Sequence, residues 1–187
     1  MLDAPCQRIT YIMTKARPPR LTRDDWLAAG HAALAISGAP ALAAEPLARK
    51  LNTTKGSFYW HFRDLPAFHD ALIAGWEGAA LTALTQVDGD TATARLRALA
   101  DCIAAPDATE TAMRGWALSH AGAAAALGRV DAARLDLLTA HLRVIGVTNP
   151  AMARCLHAAA SGLKALGNED AAADDIGSLV DLILALR

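Results

Sequence analysis

The sequence predicts an all-α protein of about nine helices, and three observations support this. Alanine, the residue with the highest intrinsic helix propensity, is very frequent, whereas Val, Ile and Thr are few. Aromatic residues make up only 5% of the chain, so the residue types that favour strands are scarce. Apolar residues recur near the helical spacing in segments separated by Gly, Pro and Asn, as expected for packed helices.

Cap and turn residues indicate three helices in the first third of the chain. Thr22 opens the first helix, with Asp25 in the capping-box position. Asn52, a residue type that tolerates a left-handed backbone, ends a short second helix. Thr53 or Thr54 then caps a short third helix. Two short helices joined by a tight turn, after a longer helix, are typical of a helix-turn-helix.

Six further helices are predicted from apolar periodicity and from the Pro, Gly and Asn residues between them. Their predicted ranges are 66–86, 91–105, 106–120, 121–146 with a loosening near Gly128, 150–166, and 174–187.

Charge is distributed unevenly along the chain. Residues 1–65 carry nine Lys and Arg against five Asp and Glu, whereas residues 66–187 carry nine against fourteen. A basic front and an acidic rear are expected when one end of a protein meets phosphate, although chance clustering on solvated faces gives the same pattern. Residues 1–20 have no apolar segment typical of a secretory signal and are predicted to be a flexible basic arm.

The three cysteines, Cys6, Cys102 and Cys155, are widely spaced and form no C-x-x-C motif. This excludes a disulfide framework and a zinc knuckle, and it fits a reducing cytoplasm. No apolar run approaches the ~20 residues that span a bilayer. We therefore expect a cytoplasmic protein with no metal, no cofactor and no membrane partner.

The third predicted helix begins with residue types that suit DNA. Thr53 and Thr54 offer hydroxyls at a helix N-terminus, where free N–H groups favour phosphate. Lys55 suits a phosphate or the O6 and N7 atoms of guanine. Gly56 permits a close approach to the groove, and Ser57 is short enough to reach a base or a phosphate.

The same helix continues with an aromatic run. Tyr59, Trp60 and His61 are consecutive, so they cannot share one buried face, and at least one must point outward, which favours a surface role. Phe58 and Phe62 are four residues apart and are predicted to face the core. The alternative is a buried aromatic cluster that happens to lie on a short helix.

Gly38, the short helix with Leu47 and Leu51, and the run Lys55–Phe62 resemble the helix-turn-helix of the tetracycline-repressor (TetR) family. The resemblance is specific over residues 21–72, and beyond them only the pattern of helices matches. It implies a dimeric, usually repressing regulator with a ligand pocket in its C-terminal domain. By motif position, the resemblance implies that DNA is contacted by Thr54, Lys55, Gly56, Tyr59 and His61.

Two positions depart from the family's pattern. Many relatives have Thr opening the second helix and Lys at the start of the fourth, where this chain has Ala43 and Leu65. Each departure removes a phosphate contact, and we expect Arg63, Arg20 or the N-terminal arm to compensate for it.

The predicted domains are the basic arm (1–20), a helix-turn-helix domain (21–66) and an effector-binding and dimerisation domain (67–187). Helices near 150–166 and 174–187 are predicted to form the homodimer through the small residues 158–162 and an aliphatic stripe on the last helix. Packing of that stripe within the chain is the alternative. Candidate ligand-binding residues, each of which could instead fill the core or lie on the surface, are Trp76, Cys102, Met113, Trp116, His120 and His141.

The function predicted from these features is a dimeric regulator that binds double-stranded operator DNA. The leading hypothesis is a repressor released by a small, largely apolar effector, and the alternative is a helix-turn-helix protein controlled without one. An enzyme is not expected, because the sequence has no G-x-G-x-x-G, G-x-S-x-G, H-E-x-x-H or P-loop motif. Acid–base pairs of His120 or His141 with Glu110 or Asp131 are conceivable, but the sequence does not fix their geometry.

Overall fold

The structure is a computed structural model that describes residues 21–105, 107–166 and 169–185. These residues form nine α-helices and no strand, so the all-α prediction is confirmed. The basic arm predicted over residues 1–20 lies outside the described residues. The helices are α1 (Arg23–Ser37), α2 (Ala44–Lys50), α3 (Lys55–His61), α4 (Leu65–Thr85), α5 (Ala92–Ala104), α6 (Ala108–Ala117), α7 (Ala121–Val144), α8 (Pro150–Leu166) and α9 (Glu169–Ala185).

Local hydrogen bonds explain where the first helices begin and end. The Thr22 hydroxyl accepts from the Asp25 N–H at 3.2 Å, and the Asp25 carboxylate accepts from the Thr22 N–H at 2.7 Å, which completes the predicted capping box. Asn52 has a φ of 51°, as predicted, and the Thr53 N–H donates to the Ala48 carbonyl across it at 2.9 Å. The sequence did not predict the short 3₁₀ helix Ala39–Leu42 between α1 and α2.

Two apolar cores hold the nine helices together. The first joins α1–α4 to α6 and α7, and the second lies among α5, α7, α8 and α9. Helix α4 contributes to both, because Phe68 and Leu72 lie in the first core and Leu84 lies in the second. The first core continues past residue 66 into Met113 and Trp116 of α6. The helix-turn-helix is therefore packed directly against the helices of the C-terminal half.

Three details of the C-terminal helices differ from the sequence-based predictions. Helix α7 is continuous through Gly128, so the loosening predicted there was wrong. Helix α9 begins at Glu169, five residues before the predicted start. Most of its aliphatic stripe is buried within the chain: Ile176, Val180 and Ile183 lie in the second core. This stripe is therefore not the surface left for a second subunit.

Gly30 lies where α1 packs tightly on α4. A Cβ atom placed at Gly30 would lie 2.7 Å from Phe68 Cζ and 2.9 Å from Leu72 Cδ1, and both of these side chains are fully buried. A Cβ at Gly78 of α4 would meet nothing within 4 Å. Glycine at position 30 is therefore required by packing, whereas glycine at position 78 is not.

We therefore expect Gly30→Ala and Gly78→Ala to differ in stability. Both gain about 1 kcal/mol of helix propensity, but Gly30→Ala also bears an overpacking cost of about 1–3 kcal/mol. Urea unfolding followed by circular dichroism should show Gly78→Ala more stable than the parent and Gly30→Ala less stable than Gly78→Ala. Equal stability of the two variants would contradict the close α1–α4 contact.

Candidate nucleic-acid interface and ligand cavity

Helix α3 has one face in the core and one face in solvent. Phe58 is fully buried, with its ring centroid 5.4 Å from that of Trp26 and 5.3 Å from that of Phe68. On the other side, Tyr59 is 50% exposed and Trp60 is 89% exposed. The two adjacent aromatic residues thus lie at the surface, as the consecutive run predicted.

The residues before this aromatic run form the exposed start of α3. The Thr54 hydroxyl caps the helix by accepting from the Ser57 N–H at 3.4 Å, while Thr53 is half-buried. Lys55 and Gly56 are exposed. A Cβ at position 56 would meet only the Thr54 hydroxyl oxygen, at 3.7 Å, so packing within the chain does not require glycine there. The missing side chain therefore leaves the backbone at Gly56 accessible to another molecule.

His61 and Arg63 both contact other side chains of the domain. His61 is half-buried, with its ring 6.5 Å from that of Trp26. The Arg63 guanidinium is exposed and donates to the Asp64 carboxylate at 2.8 Å. Asp64 caps α4 by accepting from the Ala67 N–H, and this bond, together with the one from Arg63, lowers the pKa of the Asp64 carboxyl.

The two departures from the TetR pattern have visible local consequences. Helix α2 begins at an N-cap, Ala43, that provides no side-chain hydrogen bond. Leu65, the first residue of α4, is half-buried against the first core. Arg20, which we expected to compensate, lies outside the described residues.

A second candidate site is a cavity of about 390 Å³ in the C-terminal half, partly open to solvent. Helix α4 supplies an apolar wall, and one end is polar because charged side chains from α6, α7 and α8 meet there. The volume is in the range of small-molecule pockets. The lining residues are Trp76, Ala79, Ala80, Ala83, Leu84, Cys102, Ala105, Asp107, Glu110, Arg134 and Lys164.

Glu110 organises this polar end, although it is only 2% exposed. Its Oε1 atom accepts from Arg134 Nη1 at 2.7 Å and Arg114 Nη2 at 2.8 Å, and its Oε2 atom accepts from Arg134 Nη2 and Lys164 Nζ, each at 2.8 Å. Burial alone would raise the pKa of Glu110, but the hydrogen bonds and charges of Arg134 and Lys164 outweigh it and hold the pKa at about 2. Glu110 is thus ionised at neutral pH.

Asp131 extends the network toward α8. Its carboxylate accepts from Arg114 at 2.8 and 3.0 Å and lies 3.4 Å from Nε2 of His157. Burial opposes ionisation, yet the nearby His157 imidazole and the hydrogen bonds from Arg114 keep the pKa of Asp131 well below its ordinary value. The carboxylates of Glu110 and Asp131 are therefore committed to cationic partners.

The six candidate ligand residues do not lie together. Trp76 and Cys102 line the cavity, whereas Met113, Trp116, His120 and His141 are not among its lining residues. Met113 and Trp116 are buried in the first core. His120 packs on the Trp116 ring at 4.5 Å and caps α7 by accepting from the Ala123 N–H at 3.2 Å. His141 is half-buried.

Arg134 and Lys164 were not among the predicted site residues, although the sequence carries a signal for each. Arg134 lies at the four-residue spacing between Val130 and Leu138 on the buried face of α7. Lys164 continues the buried face of α8 after Leu156 and Ala160. A lone charged residue within an apolar stripe indicates a buried partner elsewhere in the chain.

The described residues include no helix that is long and apolar enough to cross a membrane. No protein-family model matches the chain, and no curated protein matches it by sequence. Its fold, however, is similar to those of solved regulators. A transcriptional regulator from Rhodococcus sp. Rha1 superposes with a TM-score of 0.73, at 17% identity, over 89% of this chain and 95% of its own length.

A second Rhodococcus protein, described as a TetR-family transcriptional regulator, superposes with a TM-score of 0.71 at 18% identity. The match covers 87% of this chain and 98% of that protein. The TetR-type fold predicted from the helix-turn-helix motif is therefore confirmed along nearly the whole chain.

Proposed function

We propose that this protein is a dimeric, DNA-binding transcriptional regulator that represses by occupying its operator and is released by a small, largely apolar ligand. The observation that carries the proposal is the exposed face of α3. Trp60 is 89% exposed beside the half-exposed Tyr59, on a short helix whose other face is buried. Two adjacent aromatic side chains exposed in this way support a binding surface. The likeness to solved regulators supports the same conclusion.

The proposed mode of binding places α3 in the major groove, which is wide enough for a helix. Lys55 supplies a cation, and Gly56 lets the backbone approach the DNA. Tyr59 and Trp60 offer a rigid surface with polar tips. Thr53, Thr54, Ser57, His61 and Arg63 border this face and are proposed to add phosphate or base contacts, as is Arg20 of the N-terminal arm.

A homodimer would bring two such helices to one operator. We assign the dimer to the outer surface of α8 and α9, because their inner surfaces are already packed in the second core. Ala158, Gly162 and Leu166 follow one exposed face of α8 at a spacing of four residues, and Leu182 of α9 is exposed. Small residues on such a face permit close helix approach between subunits.

The cavity supports control by a ligand over control without one. It has an apolar wall from α4, the helix that also carries Phe68 and Leu72 into the core beneath the helix-turn-helix. A ligand that shifts α4 would therefore act on the packing that positions α3. Such a ligand must bind the DNA-free position of α4 more tightly than the DNA-bound position.

Selection from a random-sequence DNA duplex pool tests the proposal without knowledge of the operator. We expect enrichment of a sequence with two inverted half-sites, as two-fold symmetry requires. Failure to enrich any sequence, with no binding at low salt, would contradict the DNA-binding function. An enriched site without inverted repeats would contradict the dimer.

The contribution of Lys55 can be measured on the selected duplex. We expect Lys55→Ala to weaken binding and to reduce the slope of log affinity against log salt by about 0.9 if the ammonium group contacts a phosphate. Arg143→Ala, which removes an exposed cation near the end of α7, is the matched control and should leave the slope unchanged. Fluorescence anisotropy over a range of salt concentrations gives both values. Equal slopes for Lys55→Ala and the parent would remove Lys55 from the phosphate contacts.

A further inference from the structure

The polar end of the cavity has spare hydrogen-bond donors and no spare acceptor on its central carboxylate. The two oxygens of Glu110 already accept five bonds, from Arg114, Arg134 and Lys164. A carboxylate has about four lone-pair sites, so Glu110 is saturated. A ligand entering this end would therefore find no acceptor on Glu110.

The cations of the network, by contrast, keep unused capacity. Lys164 carries three N–H donors, and its one hydrogen bond within the described residues goes to Glu110. The Nε atom of Arg134 is buried and has no hydrogen-bond partner in the described part of the chain. Lys164 and Arg134 both line the cavity.

The charges of the network also favour an anionic ligand at this end of the cavity. Arg114, Arg134 and Lys164 are three basic side chains around two carboxylates, Glu110 and Asp131. The remaining carboxylate of the lining, Asp107, is exposed to water, and it caps α6 by accepting from the N–H groups of Thr109 and Glu110. Within the network itself, three cationic side chains thus face two carboxylates, and an anionic group bound at Lys164 and Arg134 would balance the difference.

We propose that the effector is an apolar molecule with a carboxylate head group, which would bind Lys164 and Arg134 while its apolar body lies along α4. The wall that α4 supplies consists of Trp76, Leu84 and small alanines, which leave room for such a body. This inference rests on the proposed function for the use of the site, and it adds the chemical class of the ligand. A charge-assisted hydrogen bond at the head would select the acid over its neutral analogues.

Three probes with one alkyl chain test the ligand class on the DNA-free protein: decanoate, decanamide and decylamine, each below its micellar concentration. Isothermal titration calorimetry should give decanoate at least about tenfold tighter binding than decanamide, because hydrogen bonds to charged groups are the stronger ones. Decylamine should bind most weakly. Decanamide or decylamine binding as tightly as decanoate, or no binding by any of the three, would overturn the proposal.

Two variants locate the binding. Lys164→Met keeps most of the side-chain length and leaves Glu110 paired with Arg114 and Arg134. It should bring the decanoate affinity close to the decanamide affinity. Ala83→Phe, on the apolar wall, should weaken all three probes. A folded Lys164→Met protein with unchanged decanoate affinity would overturn the assignment of the head group to Lys164. If this variant does not fold, the three probes measured on the parent protein still decide the ligand class.

Anisotropy on the selected duplex separates this inference from the proposed function. Decanoate that binds without releasing DNA would contradict release by the ligand and leave the ligand class intact. DNA release by decanamide at the same concentration as decanoate would overturn the carboxylate preference and leave the regulatory function intact.

Discussion

Glu110→Gln is expected to lower the free energy of unfolding by about 3–5 kcal/mol, the usual cost of removing one partner from a buried ionic network. The substitution preserves side-chain shape and removes the one charge that Arg114, Arg134 and Lys164 share. Asp131 would then be the single carboxylate left among three cations. Urea unfolding monitored by circular dichroism measures the change.

Glu45→Gln is the matched control for this prediction. Glu45 pairs with Arg49 at 3.4 Å on the surface of α2, with side chains 71% and 77% exposed. Such exposed pairs contribute about 0–1 kcal/mol, so this variant should unfold nearly as the parent does. Similar losses for both variants would show that the Glu110 network does not hold α6, α7 and α8 together.

The pH dependence of stability gives an independent measure of the same network. The pKa of Glu110 falls from an ordinary 4.5 to about 2 on folding. A carboxyl whose pKa is lowered in the folded state stabilises the protein above its unfolded pKa and loses that contribution as pH falls through the folded one. The parent should therefore lose stability between about pH 4.5 and pH 2, and Glu110→Gln should lose less over this interval.

The helix-turn-helix was predictable because short-range interactions determine it. The capping box of Thr22 and Asp25, the left-handed Asn52 and the cap at Thr54 each depend on residues no more than five positions apart. The same local reasoning predicted that at least one of Tyr59, Trp60 and His61 points outward, and the structure shows that Trp60 is the most exposed.

The charged network was not predictable by the same means. Glu110 lies 24 residues from Arg134 and 54 residues from Lys164, and the fold brings the three together. Local patterns identify Arg134 and Lys164 as charges on buried faces, but they do not identify the partner. The cavity depends on the same long-range packing, which explains why only Trp76 and Cys102 of the six candidate residues line it.

The stripe on α9 shows a second limit of pattern reasoning. An aliphatic face at helical spacing indicates that the face is buried, but not by which molecule. Here α5 and α8 of the same chain cover Ile176, Val180 and Ile183. The exposed Leu166 and Leu182 lie outside that core, which is why the proposed dimer is assigned to the outer surface of the two helices.

Phe58→Ala is expected to destabilise the protein by about 3–5 kcal/mol, the usual cost of deleting a buried Phe side chain. Phe58 is fully buried, and its ring contacts those of Trp26, Phe62 and Phe68, with centroids 5.2–5.4 Å apart. These aromatic contacts join α3 to α1 and α4, so their loss should also loosen the helix that we propose to enter the groove. Urea unfolding and affinity for the selected duplex should therefore both decline.

Trp60→Ala separates the two roles of the same helix. Trp60 is two residues from Phe58 and similar in chemistry, but 89% of it is exposed, so its removal should change stability by no more than about 0.5 kcal/mol. The affinity of the Trp60→Ala protein for the duplex should nevertheless fall, because the proposed DNA surface includes the indole ring. A stability loss for Trp60→Ala as large as that for Phe58→Ala would contradict the orientation of α3. Unchanged affinity in a stable Trp60→Ala protein would exclude Trp60 from the DNA surface.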